Sequence, residues 1–275
     1  QSASVTEFER TRGVMQDLPL YPDRSETPGL ALARKRDMLL QLASAQPQRF
    51  ADSLETRLGE CVFETLRLTG APVARQAIAA VQGGRAEGEV DRSDLDLIQG
   101  HLEALNTIRQ TAESSPELTE NLLREVHRLS TPGSNGAYRT EPIPAQFTGT
   151  APSRPDLISA KVENLCEWLS VDSGRGMHPP EKAALAFARL LEISPFEHGN
   201  FRTGHLLLSF FAFADRYPPF FLRLEDADVV REEVKQAMAF ETLPLVNRLA
   251  GSLASSLSFC LDALSAPPSE REPRS

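Results

Sequence analysis

Residues Leu190–Phe213, LLEISPFEHGNFRTGHLLLSFFAF, constrain this chain more than any other stretch. Just ahead, Ala183–Leu191 lacks Gly and Pro and is made largely of Ala and Leu, both good helix formers. Ser194-Pro195 interrupts that helix, because Pro removes a backbone donor and restricts the residue before it. Gly199-Asn200 then allows a tight turn. Arg202–Phe213 reads as a second helix, almost wholly apolar from Leu206 onward. A helix apolar all round is buried on most sides, so the rest of the chain must wrap it. The loop before it opens onto a helix N-terminus, whose unpaired N–H groups suit an anion. Arg202, close to that end, adds a charged donor fit for phosphate.

The remaining sequence supplies helices for the wrapping. Amphipathic or helix-like patterns run over Leu30–Ala43, Arg49–Gly70, Val73–Val81 and Leu95–Thr111, the last capped by Asp91 or Ser93. Another begins at Ser115-Pro116-Glu117 and runs through Leu129, carrying His127, which reads as a packed structural histidine. Leu157–Leu169 holds the only Trp, Trp168, and His178-Pro179-Pro180-Glu181 leads into the helix before the loop, His178 reading as a capping or solvent residue. Val229–Phe240 and Leu243–Leu264 close the series. Between Leu129 and Leu157, the prolines 132, 142, 144, 152 and 155 leave room only for short strands at Ala137–Arg139 and Ile143–Phe147. Residues 1–29 read as an extended arm, and Ala266–Ser275, rich in Pro, Ser and Glu, as a disordered tail.

Composition excludes several classes of function. A net charge of −9 argues against a nucleic-acid binder driven by phosphate contacts. No run reaches the ~20 apolar residues that span a bilayer, and QSASVTEFERTRG has no signal-peptide apolar region. A cytoplasmic location is expected. Cys61, Cys166 and Cys260 lie far apart in apolar helical settings and read as buried reduced thiols. No metal site is expected.

Pro195-Phe196, Gly199-Asn200 and Arg202-Thr203-Gly204 resemble the signature of the Fic (Fido) family, HPFx[DE]GNGRxxR, whose members move AMP from ATP onto protein hydroxyls. The resemblance implies an all-α fold, a Fic-like helical bundle with a short β-hairpin flap and an N-terminal helical extension. It divides the chain into residues 1–58 (arm and extension), 59–265 (the Fic-like domain) and 266–275 (tail). Gly136, Tyr138 and Arg139 are similar to the start of the flap, where a target protein's extended segment adds as a strand. Thr65–Gly70 is similar to the inhibitory helix [ST]xxxE[GN] of some members, with Thr69 in the place of its Glu.

Four positions depart from the signature. Ser194 replaces the general base and has no basic lone pair usable near neutral pH, so transfer should lose at least the ~10²–10⁴-fold that such a base provides. His198 replaces the acidic residue that holds Mg²⁺, a hard ion for which imidazole is a poor ligand, so Mg²⁺ is not expected. Phe201 replaces a Gly that lets backbone approach the phosphates, and His205 replaces the Arg that binds the terminal phosphate. Losing that Arg together with the inhibitory Glu is coherent, since either charge alone in a closed site is costly. Gly199, Asn200, Arg202 and Thr203 remain as candidates to hold phosphate, ATP or another nucleotide. The expectation is a degenerate member that has lost AMP transfer, with residual nucleotide binding or a protein partner at the flap. The alternative is an active transferase of altered chemistry using His198 or His205.

Overall fold

A computed structural model describes residues 28–71, 73–86, 90–170 and 176–266. Among these residues the chain forms ten α-helices: α1 (Pro28–Ala45), α2 (Pro47–Leu68), α3 (Arg75–Gln82), α4 (Arg92–Ser114), α5 (Glu120–Ser130), α6 (Ile158–Ser170), α7 (Pro179–Ile193), α8 (Asn200–Ala214), α9 (Ala227–Met238) and α10 (Leu243–Ser265). Short 3-10 turns at Pro155–Leu157 and Leu224–Asp226 lead into α6 and α9. No described helix is long and apolar enough to cross a membrane. Apart from Pro28, Gly29 and Ala266, the anticipated arm and tail lie outside the described residues.

The apolar sequence of α8 dictates the architecture. From Asn200 to Phe213 every residue except Arg202 is buried, and α2, α4, α5 and α7 pack around it. Leu206, Leu208 and Phe210 are almost fully buried. Each contributes about 1.5–3 kcal/mol by leaving water, and Leu206→Ala would cost about 2–5 kcal/mol through the cavity it leaves. The outer layer is continuous with this core: Leu32 and Leu39 of α1 join one cluster with Leu58 and Leu66 of α2 and Leu249 and Leu257 of α10. Helix α2 runs unbroken across residue 58.

Several starts follow from capping chemistry. Proline occupies the first turn of α2, α7 and α10, where its missing N–H costs nothing. At α7 the His178 N–H donates to Glu181 Oε2 (2.8 Å). Two expectations are corrected. Helix α5 starts at Glu120 rather than at Ser115, because the Thr119 hydroxyl accepts the Leu122 N–H (3.2 Å) and fixes the first turn there. Asp91 stands at the N-cap of α4 without a side-chain capping bond.

The β-hairpin does not form, and no strand occurs among the described residues. Pro142 and Pro144 have no N–H to offer a ladder. The Arg139 N–H bonds the Pro195 carbonyl (3.0 Å), so this edge pairs with the loop after α7 rather than with a second strand. Residues 137–150 form an extended strap over that loop.

Candidate functional site

The site is the junction of α7 and α8. Helix α7 ends with Ser194 in the left-handed region (φ 45°, ψ 66°), a strained conformation for a residue other than Gly. Its hydroxyl donates to Leu191 O (2.6 Å), and its N–H to Leu190 O (2.8 Å). Arg139 completes the cap: Nε donates to Ser194 O (2.8 Å), while the terminal nitrogens reach Ile193 O, Glu141 O and Ser153 O. A guanidinium is well suited to collecting the orphan carbonyls at a helix C-terminus. Arg139 thus ties the base of the strap to the end of α7. Burial depresses its pKa from the usual arginine value.

The loop is closed by Asn200, whose Oδ1 accepts the Phe196 N–H (2.9 Å) while Nδ2 donates to Phe196 O (2.8 Å). Nδ2 also reaches Gln146 Oε1 of the strap (3.1 Å). Gly199 turns the chain at φ 76°, and a Cβ there would lie 2.7 Å from Thr131 Oγ1, so a side chain is excluded by both conformation and space. His127 of α5 stacks on Phe196 with ring centres 3.6 Å apart. Its Nε2–H donates to His198 O (3.0 Å), so Nδ1 accepts from the Ser134 hydroxyl (2.8 Å). Burial is the main reason its pKa falls to about 4. His198 itself is exposed.

At the start of α8 the side chains turn to structural partners. Phe201 is buried, its ring 4.3 Å from Phe147 of the strap and 5.5 Å from Phe187 of α7. Arg202 Nη1 donates to Ser130 O (3.0 Å) and so caps α5. Desolvation lowers the Arg202 pKa, and its Nε–H is buried without a partner. The Thr203 hydroxyl is buried and unpartnered as well. His205 is fully buried. Its Nε2 accepts the Leu222 N–H (2.8 Å), which places the proton on Nδ1, and Nδ1–H donates to Thr65 Oγ1 of α2 (2.7 Å). Thr65 passes the chain on to Cys61 O (2.6 Å). Burial holds the His205 pKa down at about 4, so the ring is neutral with both nitrogens engaged. Thr69 folds its hydroxyl back onto Thr65 O (2.9 Å) and Leu66 O (3.1 Å) at the end of α2.

The expected flap residues pack rather than project. Gly136 adopts φ 74° and its carbonyl accepts from Arg124 Nε (2.9 Å). Tyr138 lies 5.6 Å from Phe196, ring to ring, and burial raises its pKa. The structure brings Ser194, Gly199, Asn200, Phe201 and Arg139 into one cluster, while His205 and Thr203 lie deeper in the core. Sequence reading missed two contributors and the partner of a third. Gln146 bridges Asn200 and Glu197 O (3.2 Å). Arg231 of α9 donates to Phe147 O (3.0 Å). Thr65, one of the two positions that fitted the helix pattern, meets His205 directly. Thr65 carried a signal as one end of that pattern, though nothing in it named His205 as the partner. Gln146 and Arg231 had none.

Between strap and loop lies a cavity of about 40 Å³ lined by Gln146, Phe147, Thr148, Thr150, Leu191, Ser194 and Phe201. At roughly 10–15 Å³ for each water, it holds a few water molecules. Among the described residues no group of three His, Cys, Asp or Glu side chains could hold a metal ion.

Comparison with known proteins places this geometry. The family model described as "Fic/DOC family" matches residues 117–212. A protein adenylyltransferase Fic from Nematostella vectensis is 28% identical over 153 residues, 54% of this chain and 35% of that protein. One from Drosophila virilis is 24% identical over 284 residues, 98% of this chain and 55% of that protein. The chain therefore spans between about a third and just over half the length of these curated relatives. A Fic-domain-containing signalling protein from Bacteroides thetaiotaomicron superposes with a TM-score of 0.75 at 24% identity, over 90% of this chain and all of that one. Fic-1 of Caenorhabditis elegans, residues 134–508, gives 0.73 at 20% identity, over 95% and 77%. The chain carries a Fic/DOC-family domain at residues 117–212, set in a helical body of the Fic fold.

Proposed function

We propose that this chain is a Fic-domain protein that does not transfer AMP and instead engages a protein partner at the strap over its signature loop. The observation that carries this reading is the Ser194 hydroxyl. It stands where the family keeps its base, and it donates to Leu191 O at 2.6 Å. Such a group removes no proton from a target hydroxyl near neutral pH. The remaining signature side chains support the same reading, because Asn200 closes the loop, Arg202 caps α5 and His205 joins α8 to α2. What is left for a phosphate is the set of N–H groups in the first turn of α8. That is a weak anion site without a charged side chain aimed at it.

Incubation with labelled ATP and Mg²⁺, with and without candidate target proteins, tests the reading. The expected result is no AMP-modified protein above a blank. Robust modification abolished by Arg202→Ala overturns it. The relatives' name, protein adenylyltransferase, keeps one second reading in view. His198 is the exposed imidazole of the loop, and as the base it would make modification depend on it. Transfer that disappears in His198→Ala selects that reading. Calorimetric titration with ATP, ADP and inorganic phosphate measures the residual anion site, and millimolar or weaker binding is expected.

A further inference from the structure

We infer that Gln146–Thr148 form a latch that holds the strap shut over the signature loop, with Phe201 as its seat. This adds regulation to the site proposed above, and it rests on that reading for what lies beneath the strap. Three groups fasten the segment. The Phe147 ring lies 4.3 Å from that of Phe201, tilted by 44°. From the other side Arg231 donates to Phe147 O (3.0 Å) and places its guanidinium 5.3 Å from the Phe147 ring, steadied by Asp228 (2.7 Å). Gln146 spans the loop, accepting from Asn200 Nδ2 (3.1 Å) and donating to Glu197 O (3.2 Å).

The space beneath decides what the closed form admits. Small-molecule sites occupy about 300–1,000 Å³, whereas the cavity under the latch is about 40 Å³. The space under the closed latch has room for a few waters. Lifting it is a local event, because the strap has no ladder. Its backbone bonds are Arg139 N–H to Pro195 O at the base and Gly149 N–H to Gln146 O within the turn. With no backbone ladder to break, opening depends on the side-chain contacts of Gln146 and Phe147. The residue at 201 therefore controls access. A glycine there would leave Phe147 without an aromatic seat and enlarge the space by most of a phenyl ring.

Thiol accessibility tests the latch. Thr148 is 5% exposed, lines the cavity and is close to cysteine in volume, so Thr148→Cys puts a reporter under the strap. Its reaction with a maleimide is followed by peptide mass, which reads the buried core thiol Cys260 in the same sample. In the otherwise unchanged chain the introduced thiol should react more than about tenfold slower than in urea-unfolded protein. Adding Phe201→Ala, or Arg231→Ala at a partly exposed position that leaves the core intact, should raise its rate about tenfold with Cys260 unchanged. Reaction at the unfolded rate in the parent, no acceleration in Arg231→Ala, or a parallel rise at Cys260 would each overturn the latch. AMP transfer is scored separately on the same proteins. Transfer by the parent with a protected reporter would remove the functional reading and leave the latch standing.

Discussion

At the scale of single residues, His205 shows how a signature position is absorbed into a core. Its two nitrogens answer a backbone donor on one side and the Thr65 hydroxyl on the other, at a point 0% exposed. An arginine there would bring a charge into a fully buried site and would present donors to the Leu222 N–H. An unpaired buried charge costs about 3–5 kcal/mol. His205→Arg, the change that restores the signature in sequence, should lower stability by that order in urea unfolding and restore no transfer. Thr65→Val removes the hydroxyl that receives Nδ1–H and should cost about 1–3 kcal/mol, the penalty of stranding a buried donor. A double-mutant cycle of Thr65→Val and His205→Leu checks the coupling, since two residues in contact should fall short of additivity.

At the scale of elements, the helices were legible in the sequence and the strap was not. Periodicity or apolar composition located all ten described helices, because most bury one apolar stripe and α8 buries every residue from Asn200 to Phe213 except Arg202. Ser194-Pro195 and Gly199-Asn200 marked the loop for the same local reason, through restricted and left-handed backbone. The strap depends on distant partners. Arg139 finds the end of α7 across 55 residues, and His205 finds Thr65 across 140, so no local pattern encodes either bond. Short strands are read at Ala137–Arg139 and Ile143–Phe147, but Pro142 and Pro144 remove the donors a hairpin needs. The direction of Phe201 was equally hidden, since its seat is set by Phe147 and Phe187 on two other elements. Close packing between helices gives one prediction here. A Cβ on Gly204 of α8 would lie 2.9 Å from the Phe187 ring of α7. Gly204→Ala gains helix propensity of roughly 0.8–1 kcal/mol and meets an overpacking cost of about 1–3 kcal/mol. The net change should be destabilising, with a measurable fall in the urea midpoint, and a rise would show that Phe187 yields freely.

At the scale of the whole molecule, three neutral histidines are built into the helices around the signature: His101 of α4, His127 of α5 and His205 of α8. Burial lowers their pKa to about 3, about 4 and about 4, with the Arg202 charge a second cause at His101. The bonds they donate survive protonation, but His127 Nδ1 accepts from the Ser134 hydroxyl (2.8 Å) and His205 Nε2 accepts the Leu222 N–H (2.8 Å), and each of these needs an unprotonated nitrogen. His101 Nδ1–H donates to Leu97 O (2.7 Å), His127 joins α5 to His198 O, and His205 joins α8 to α2. The folded values lie below the ordinary histidine value near 6.5, so the unfolded chain binds these protons first as pH falls. Their contribution to stability is therefore complete above about pH 6.5 and is lost progressively down through about pH 4. For His205, buried completely, the loss is on the order of 3 kcal/mol by pH 4. Urea midpoints measured from pH 7.5 to 4 should fall steeply across that window. His205→Gln, which has no ring to protonate, should start less stable at pH 7.5 and lose less on the way down. An unchanged slope in that variant would mean that the acid sensitivity comes from groups other than the ring that couples α8 to α2.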